Sequence, residues 1–275
     1  MTTIALFGAG GKMGFRLAQH LQRSRFSTRY VEVSPAGQQR LKDELGIACS
    51  APDAALEGVE VVILAVPDTL IRRIATEIAP KLKAGTMVMA LDAAAPFAGH
   101  LPARPDLTYF VTHPCHPPIF SDETEPAALA DHFGGVAAKQ SVVNALMQGP
   151  EEAYALGAEI AETIWAPVLR THRVSVEQMA FLEPGLSETV AATLLDVMRE
   201  ARDEVVARGV PAQAAQDFLL GHLNVLAAVI FGVVEGRFSD ACNKAIEFGK
   251  PALMRADWKH VFEPGEIAAS IRRIT

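Results

Sequence analysis

Paired cysteines, a leader segment, a membrane span and a basic cluster are all missing from this sequence. Its three cysteines, Cys49, Cys115 and Cys242, are odd in number and show no paired spacing. That argues against a disulfide framework and for a reducing compartment, the cytoplasm. The N-terminus lacks a basic start, an apolar run and a small-residue cleavage site, because its first apolar stretch runs directly into glycines. Met1 is therefore expected to begin the mature protein. The longest apolar stretch, 219–234, is interrupted by Gly221, His222, Asn224 and Gly232. It is too short and too polar for a membrane span, so it reads as a buried helix, with a subunit interface as one place to bury it. Lys and Arg number 25 against 32 acids, a net charge of −7, and they are scattered along the chain. The positive footprint that nucleic acid demands is absent, and no nucleic-acid partner is expected.

What the chain has is apolar mass and alternation. Half of its 275 residues are hydrophobic, enough for one large core or two unequal ones. Residues 4–7 read as a short strand, a glycine cluster follows, and Leu17 and Leu21 then recur at helical spacing. A second strand is expected at 30–33, with Ser34 as cap and Pro35 in the first turn of the next helix. Residues 61–66 are nearly all apolar, as a parallel strand covered on both faces should be, and Pro67 and Asp68 end it. A helix at 69–82 and strands at 86–91 and 107–112 continue the pattern. After an acidic stretch at 121–132 come a strand at 141–147, a helix opened by Pro150 and a strand around Val168. This predicts an α/β, doubly wound, mostly parallel sheet of Rossmann type over 1–170.

From 171 to 275 only helices are expected. Ser175 and Gln178 have capping-box spacing, and Pro184 with Gly185 should break or kink the helix they open. Further helices are predicted at 186–208, stopped by Gly209 and Pro211, at 212–234, and from a Ser239 cap to about Gly249 and Pro251.

The glycine cluster is the first candidate site. Gly8, Gly10, Gly11 and Gly14, with Lys12 and Met13 between them, lie where a strand turns into a helix. There one glycine permits a tight turn, another lets backbone approach a pyrophosphate, and the last lets helix pack on strand. The spacing departs from the strict fingerprint, since Met13 holds the place of its third glycine and Gly14 lies one further on. Glu32 follows near the end of the second strand, where a carboxylate accepts ribose hydroxyls and repels a 2′-phosphate. The prediction is a nicotinamide dinucleotide site that prefers NAD to NADP. Val66, Pro67 and Asp68 form the next rim of the cleft, with a simple helix cap as the competing role for Asp68.

The segment His113, Pro114, Cys115, His116, Pro117, Pro118 follows a strand at the same edge. Oxidising an alcohol with NAD needs a base for the hydroxyl proton, and histidine suits that task, so His113 is the leading candidate. Histidines that merely satisfy backbone in a stiff loop are the competing reading, more so for His116. Cys115 reads as a bystander rather than a ligand. Glu183 stands at the expected break in the first helix of the second domain, with a surface carboxylate as its bland alternative. His222 shares a helix face with Phe218, Leu226 and Val229, where a core role competes with a functional one. Lys139 and Gln140 are weaker candidates for a substrate carboxylate.

The turn from Gly8 to Gly14, Glu32 to Pro35 and Ala65 to Asp68, ahead of an all-helical domain, resemble the phosphogluconate and hydroxyacid dehydrogenase superfamily over essentially the whole chain. His113-Pro114 is similar to the histidine-proline pair of prephenate dehydrogenases, whose histidine contacts the reacting hydroxyl. Hydroxyacid dehydrogenases carry a catalytic lysine and, four residues on, an asparagine where this sequence has Met179 and Glu183, so that lysine chemistry is absent. Residues 113–118, Phe133-Gly134-Gly135, 147–150 and 181–184 together are similar to the D-apionate oxidoisomerase family, which oxidises and rearranges a branched sugar acid with NAD.

The resemblance implies a small sugar-acid substrate and hydride transfer coupled to a ketol-type carbon shift. The rivals are a plain hydroxyacid dehydrogenase and a non-catalytic NAD-binding sensor. A carbon shift beside an alkoxide needs charge stabilisation beyond one histidine, so His113 and Glu183 are expected to hold a divalent metal, zinc or magnesium. His116, or His222 from a second subunit, is the expected third ligand. A homodimer follows from the apolar helical domain.

Overall fold

The computed structural model describes residues 1–275. In chain order, the first half runs β1 (Thr3–Phe7), α1 (Lys12–Gln22), β2 (Ser27–Val31), α2 (Pro35–Leu45), α3 (Pro52–Leu56), β3 (Val61–Leu64), α4 (Asp68–Ile78), β4 (Met87–Ala90) and α5 (Ala94–Phe97). It continues β5 (Thr108–Pro114), α6 (Pro126–Leu129), β6 (Gln140–Gln148), α7 (Ala153–Ile164), β7 (Val168–Arg173) and α8 (Val176–Ala180). The seven strands form one sheet in the order β2-β1-β3-β4-β5-β6-β7. Every pairing is parallel except β5 with β6, which is antiparallel.

Period-2 alternation along each central strand explains why both faces are covered. Ile4, Leu6, Val61, Ile63, Met87 and Met89 enter one buried cluster with the apolar faces of α1 and α7. Their neighbours Ala5, Phe7, Val62, Leu64 and Val88 enter a second cluster with Ile71, Ala75 and Ile78 of α4. Burying each such aliphatic side chain contributes roughly 1.5–3 kcal/mol, and together they hold the C-terminal ends of β1, β3, β4 and β5 side by side. Strand order reverses at β1, so a crevice opens there, where doubly wound sheets take ligands.

The chain divides into two compact units, 1–183 with 268–275, and 184–267. The sequence places the boundary at 170/171, which falls inside β7 and ahead of α8. β7 pairs with β6, and Val176 and Met179 of α8 are buried against Ala93, Val111, Val143 and Ala145, so both elements belong to the first unit. The capping box forms as expected, with Ser175 and Gln178 satisfying each other's backbone N–H. Pro184 does not end the helix: Phe181–Ala192 winds as a π-helix, a wider coil that tolerates a residue unable to donate. The Thr189 hydroxyl donates to the Pro184 carbonyl at 2.6 Å.

The second unit is helical, as expected, with α9 (Thr193–Ala207), α10 (Ala212–Ile230) and α11 (Asp240–Leu253); α12 (Pro264–Ile274), which the sequence reading does not include, ends in the first unit. No helix is long and apolar enough to cross a membrane. The run 219–234 is not buried within the chain, however. Leu220, Val225, Ile230 and Phe231 are all at least half exposed.

Candidate active site

The glycine turn forms between β1 and α1 as its spacing predicts. Gly8 has φ +77, a conformation that costs an L side chain about 1 kcal/mol or more, and its N–H donates to the Val31 carbonyl at 2.9 Å. A Cβ on Gly10 would lie 2.6 Å from Gly37, and one on Gly14 would collide with the Gly8 carbonyl. Gly14 therefore does the helix-packing work of the fingerprint's third glycine, and Met13 instead packs against the core. Gly11 is different: it caps α1, its Cβ would meet only the Gly8 carbonyl at 3.3 Å, and it lines a cleft of about 370 Å³ with Glu32, Val33, Val66 and Pro67. Backbone that approaches this closely, at a helix N-terminus, fits a dinucleotide phosphate.

Glu32 is tied into the turn before any cofactor arrives. Its Oε2 accepts from the Gly10 N–H and its Oε1 from the Ser34 N–H, both at 2.8 Å. A carboxylate keeps further acceptor capacity for ribose hydroxyls, and its charge opposes a 2′-phosphate. Lys12 lies beyond the turn with Nζ 4.2 Å from the centre of the Phe133 ring. That ring belongs to a loop fastened to α1 by Arg16 on the Gly134 carbonyl and by His20 on the Gly135 carbonyl.

A second set of side chains gathers at the ends of β3, β4 and β5. His113 and Pro114 are the last residues of β5 rather than part of the loop after it, which explains why His113 is held firmly. Its Nδ1 is 2.8 Å from the Leu91 carbonyl; a carbonyl only accepts, so Nδ1 carries the proton. In the neutral ring Nε2 is then a bare lone pair, and it is buried with no hydrogen-bond partner. Glu183 Oε2 lies 3.5 Å from that Nε2, and Asp92 Oδ2 lies 3.5 Å from Nδ1. Donor atoms of Asp92, His113 and Glu183 all fall within 4.8 Å of one another. A lone pair facing carboxylate oxygens is repulsive unless a proton or cation sits among them, and an imidazole with two carboxylates suits a divalent ion.

Asp92 is absent from the sequence reading, which looks to His116 or His222 for the third ligand. Neither is in this cluster. His116 takes φ +59, the one non-glycine residue with positive φ, its Nδ1 is 2.8 Å from the Phe133 carbonyl, and its ring stands edge-on to His113 with centroids 6.3 Å apart. His222 lies on α10 of the second unit, exposed and stacked on Phe218 at 4.0 Å. The signal for Asp92 was an acid just past an apolar parallel strand, the same signal that marks Asp68.

Asp68 is the first residue of α4, one position past the cap residue Pro67. Its Oδ1 is buried without a partner. Burial first, then the Asp92 charge, pushes its carboxyl up to about 6, with His113 pulling the other way. Cys115 is raised by burial and by Glu183, so its thiol stays protonated, as a bystander should. Gln140 is buried and donates to the Trp165 carbonyl at 2.9 Å, so it serves the fold. Lys139 borders a separate cleft with Arg170, Asp122 and Glu123.

Comparison with known proteins follows this geometry. Residues 3–96 match the NAD binding domain of 6-phosphogluconate dehydrogenase, and 121–275 match the phosphogluconate dehydrogenase (decarboxylating) C-terminal family. The chain is 73% identical to a D-apionate oxidoisomerase of Rhizobium rhizogenes, over 100% of both chains. It is 68% identical to one of Cupriavidus necator, over 99% of both. A solved structure of a semialdehyde dehydrogenase NAD-binding protein from Cupriavidus necator, in complex with calcium and NAD, superposes with a TM-score of 0.99 at 68% identity over 100% of both chains. The chain therefore belongs to the D-apionate oxidoisomerase family of NAD-binding oxidoreductases, built on the 6-phosphogluconate dehydrogenase type of cofactor domain.

Proposed function

We propose that this protein oxidises the branched sugar acid D-apionate with NAD and rearranges the resulting ketone, working at the edge formed by Asp92, His113 and Glu183. The observation that carries the reading is the buried, partnerless Nε2 of His113 aimed at Glu183 beside the dinucleotide cleft. Bound NAD supplies the hydride acceptor. The chain's part is to bring a substrate hydroxyl beside that acceptor, with the glycine turn and Glu32 on the cofactor side and His113 on the substrate side.

His113 and Glu183, with Asp92 as the third donor, are the residues that would hold a divalent cation. A cation there would supply Lewis acidity to the ketol shift. In the ketol shift a carbon substituent moves with its bonding pair from the carbinol carbon to the adjacent carbonyl carbon. One hydroxyl proton leaves and the former carbonyl oxygen gains one. The Leu91 carbonyl fixes the His113 tautomer throughout, leaving Nε2 as the free base or ligand atom. His116 positions the Phe133 loop, and Gly8, Gly10, Gly11, Lys12, Met13, Gly14, Val66, Pro67 and Asp68 frame the cofactor. His222 enters only if a partner subunit brings it near.

The working form is a cytoplasmic homodimer. Helices α9 and α11 bury no residue and α10 buries only Ala215 and Ala228, so a second copy is the natural cover for this apolar surface. The experiment is NAD reduction on D-apionate and on a panel of unbranched hydroxy acids, with elemental analysis and activity before and after chelation. Turnover selective for the branched acid and lost on chelation is expected. Full activity in metal-free protein would leave His113 as a base acting alone, and faster turnover of an unbranched acid would make this a plain hydroxyacid dehydrogenase.

A further inference from the structure

Gly37 has no conformational reason to be glycine. It is the third residue of α2, in the first turn after the Ser34 cap, and it is not among the residues with positive φ. Only proline is a poorer helix former, and a capping box would place Glu or Gln here to reach back to the cap backbone. The Gly37 N–H does donate to the Ser34 hydroxyl, at 3.4 Å. This is half a capping box, with no side chain to complete it.

What the missing side chain makes room for is Glu32. A Cβ at position 37 would lie 2.8 Å from Glu32 Cγ, 2.9 Å from Cδ and 3.3 Å from Oε2, well inside the separation that carbon atoms prefer. These three nearest atoms belong to the end of a side chain, which can swing away, and not to backbone, which cannot. The Gly37 backbone is itself pressed against the phosphate turn, since a Cβ on Gly10 would meet its Cα at 2.6 Å. Between these two glycines the Glu32 carboxylate is turned inward, Oε2 on the Gly10 N–H and Oε1 on the Ser34 N–H, both at 2.8 Å. Gln38 holds the Glu32 carbonyl from the same helix, with its Nε2 donating at 2.6 Å.

We propose that Gly37 is a positioning residue for nucleotide selectivity: its bare Cα keeps the Glu32 carboxylate between Gly10 and Ser34, where it accepts ribose hydroxyls and opposes a 2′-phosphate. The inference rests on the NAD reading of the cleft and deepens it. With a methyl group at position 37 the carboxylate has to swing outward, the Gly10 N–H loses its acceptor, and the negative charge leaves the place a 2′-phosphate would take. NAD then loses a charge-assisted contact while NADP loses part of its repulsion, so the preference falls from both sides.

The test is fluorescence titration of the full chain with NADH and with NADPH, for the parent, G37A, E32A and the double variant E32A/G37A. The parent should prefer NADH, and G37A should lower the ratio of the two affinities about tenfold or more, the scale of one hydrogen bond to a charged group. In the E32A background the same change should leave the ratio unmoved, because the group it acts through is gone. The Gly10 amide resonance gives a second readout, since it should shift in G37A as it does in E32A. Alanine is the better helix former and only a side-chain end must yield, so G37A should fold, as urea unfolding checks. An unaltered ratio in folded G37A, an equal drop in the E32A background, or a G37A chain that does not fold overturns the proposal and leaves Gly37 a packing role alone. A parent that binds neither nucleotide would fail the cofactor reading, and this inference with it.

Discussion

The two units solve the problem of apolar surface in opposite ways. In the first, Ile4, Leu6, Val61 and Ile63 are wholly buried, and each central strand sends alternate residues into two separate cores. In the second, the three long helices bury two alanines between them, while Phe218, Ile230, Phe231 and Phe248 stand more than half exposed. A fold that hides its apolar residues can hold a catalytic edge rigid by itself. One that does not leaves apolar surface open, the surface that we propose a second copy covers. Chemistry and cofactor geometry should therefore respond to changes in the first unit, and assembly to changes in the second.

The largest expected effect falls on the catalytic edge. His113→Gln should lower turnover about a hundredfold or more while NAD affinity stays nearly intact, the scale expected on losing a general base or an essential ligand. Steady-state kinetics beside NAD titration checks this, and a near-normal rate would return His113 to a structural role. The matching change in the second unit is Phe231→Asp, which puts a charge on surface that we assign to the dimer. Sedimentation should show self-association weakened tenfold or more, with NAD binding by the first unit preserved. A variant that assembles normally would break the comparison.

A smaller effect tests the cofactor side. Gly11→Val places its side chain toward the cleft with one tight backbone neighbour, so the protein should fold and bind NAD roughly tenfold more weakly, about 1.4 kcal/mol. Gly14→Val is the sharper control: it should fail through folding, because its side chain would strike the Gly8 backbone. Unchanged NAD affinity in folded Gly11→Val would remove the close-approach argument.

These contrasts also mark what the sequence could reveal. Glycines between a strand and a helix are local signals, and so is Glu32, whose distance along the chain is set by one βαβ step. His113 stood out as a candidate because it follows an apolar strand at the cofactor edge. Asp92 was not, since it follows β4 among alanines and acquires meaning only when β4 and β5 lie adjacent, bringing it 3.5 Å from His113. The antiparallel setting of β6 could not be read either, because its apolar run looks the same in both directions. The boundary was misplaced because α8 carries a capping box like any first helix of a new domain, and its burial under Ala93 and Val111 is a long-range fact.

The smallest effect concerns Asp68, the first-unit carboxyl whose burial should be visible in stability. Unfolded, it loses its proton near 3.8; folded, it holds the proton to about 6, chiefly because burial penalises the charge and Asp92 repels it. Between those values the native state binds more protons than the unfolded chain. Its contribution is therefore fully present below the unfolded value and is lost as pH rises through about 6. The full shift would amount to roughly 3 kcal/mol, but the carboxyl is partly solvated, and on the order of 1 kcal/mol is expected. Asn does not titrate, so Asp68→Asn should gain that amount relative to the parent between about pH 4 and pH 7. Urea unfolding of both proteins at the two pH values, without NAD and with chelator to keep cations from the neighbouring carboxylates, gives the difference directly. A difference that stays constant, or that moves toward the parent as pH rises, would mean that folded Asp68 gives up its proton no later than the unfolded chain does, its buried oxygen having found a partner.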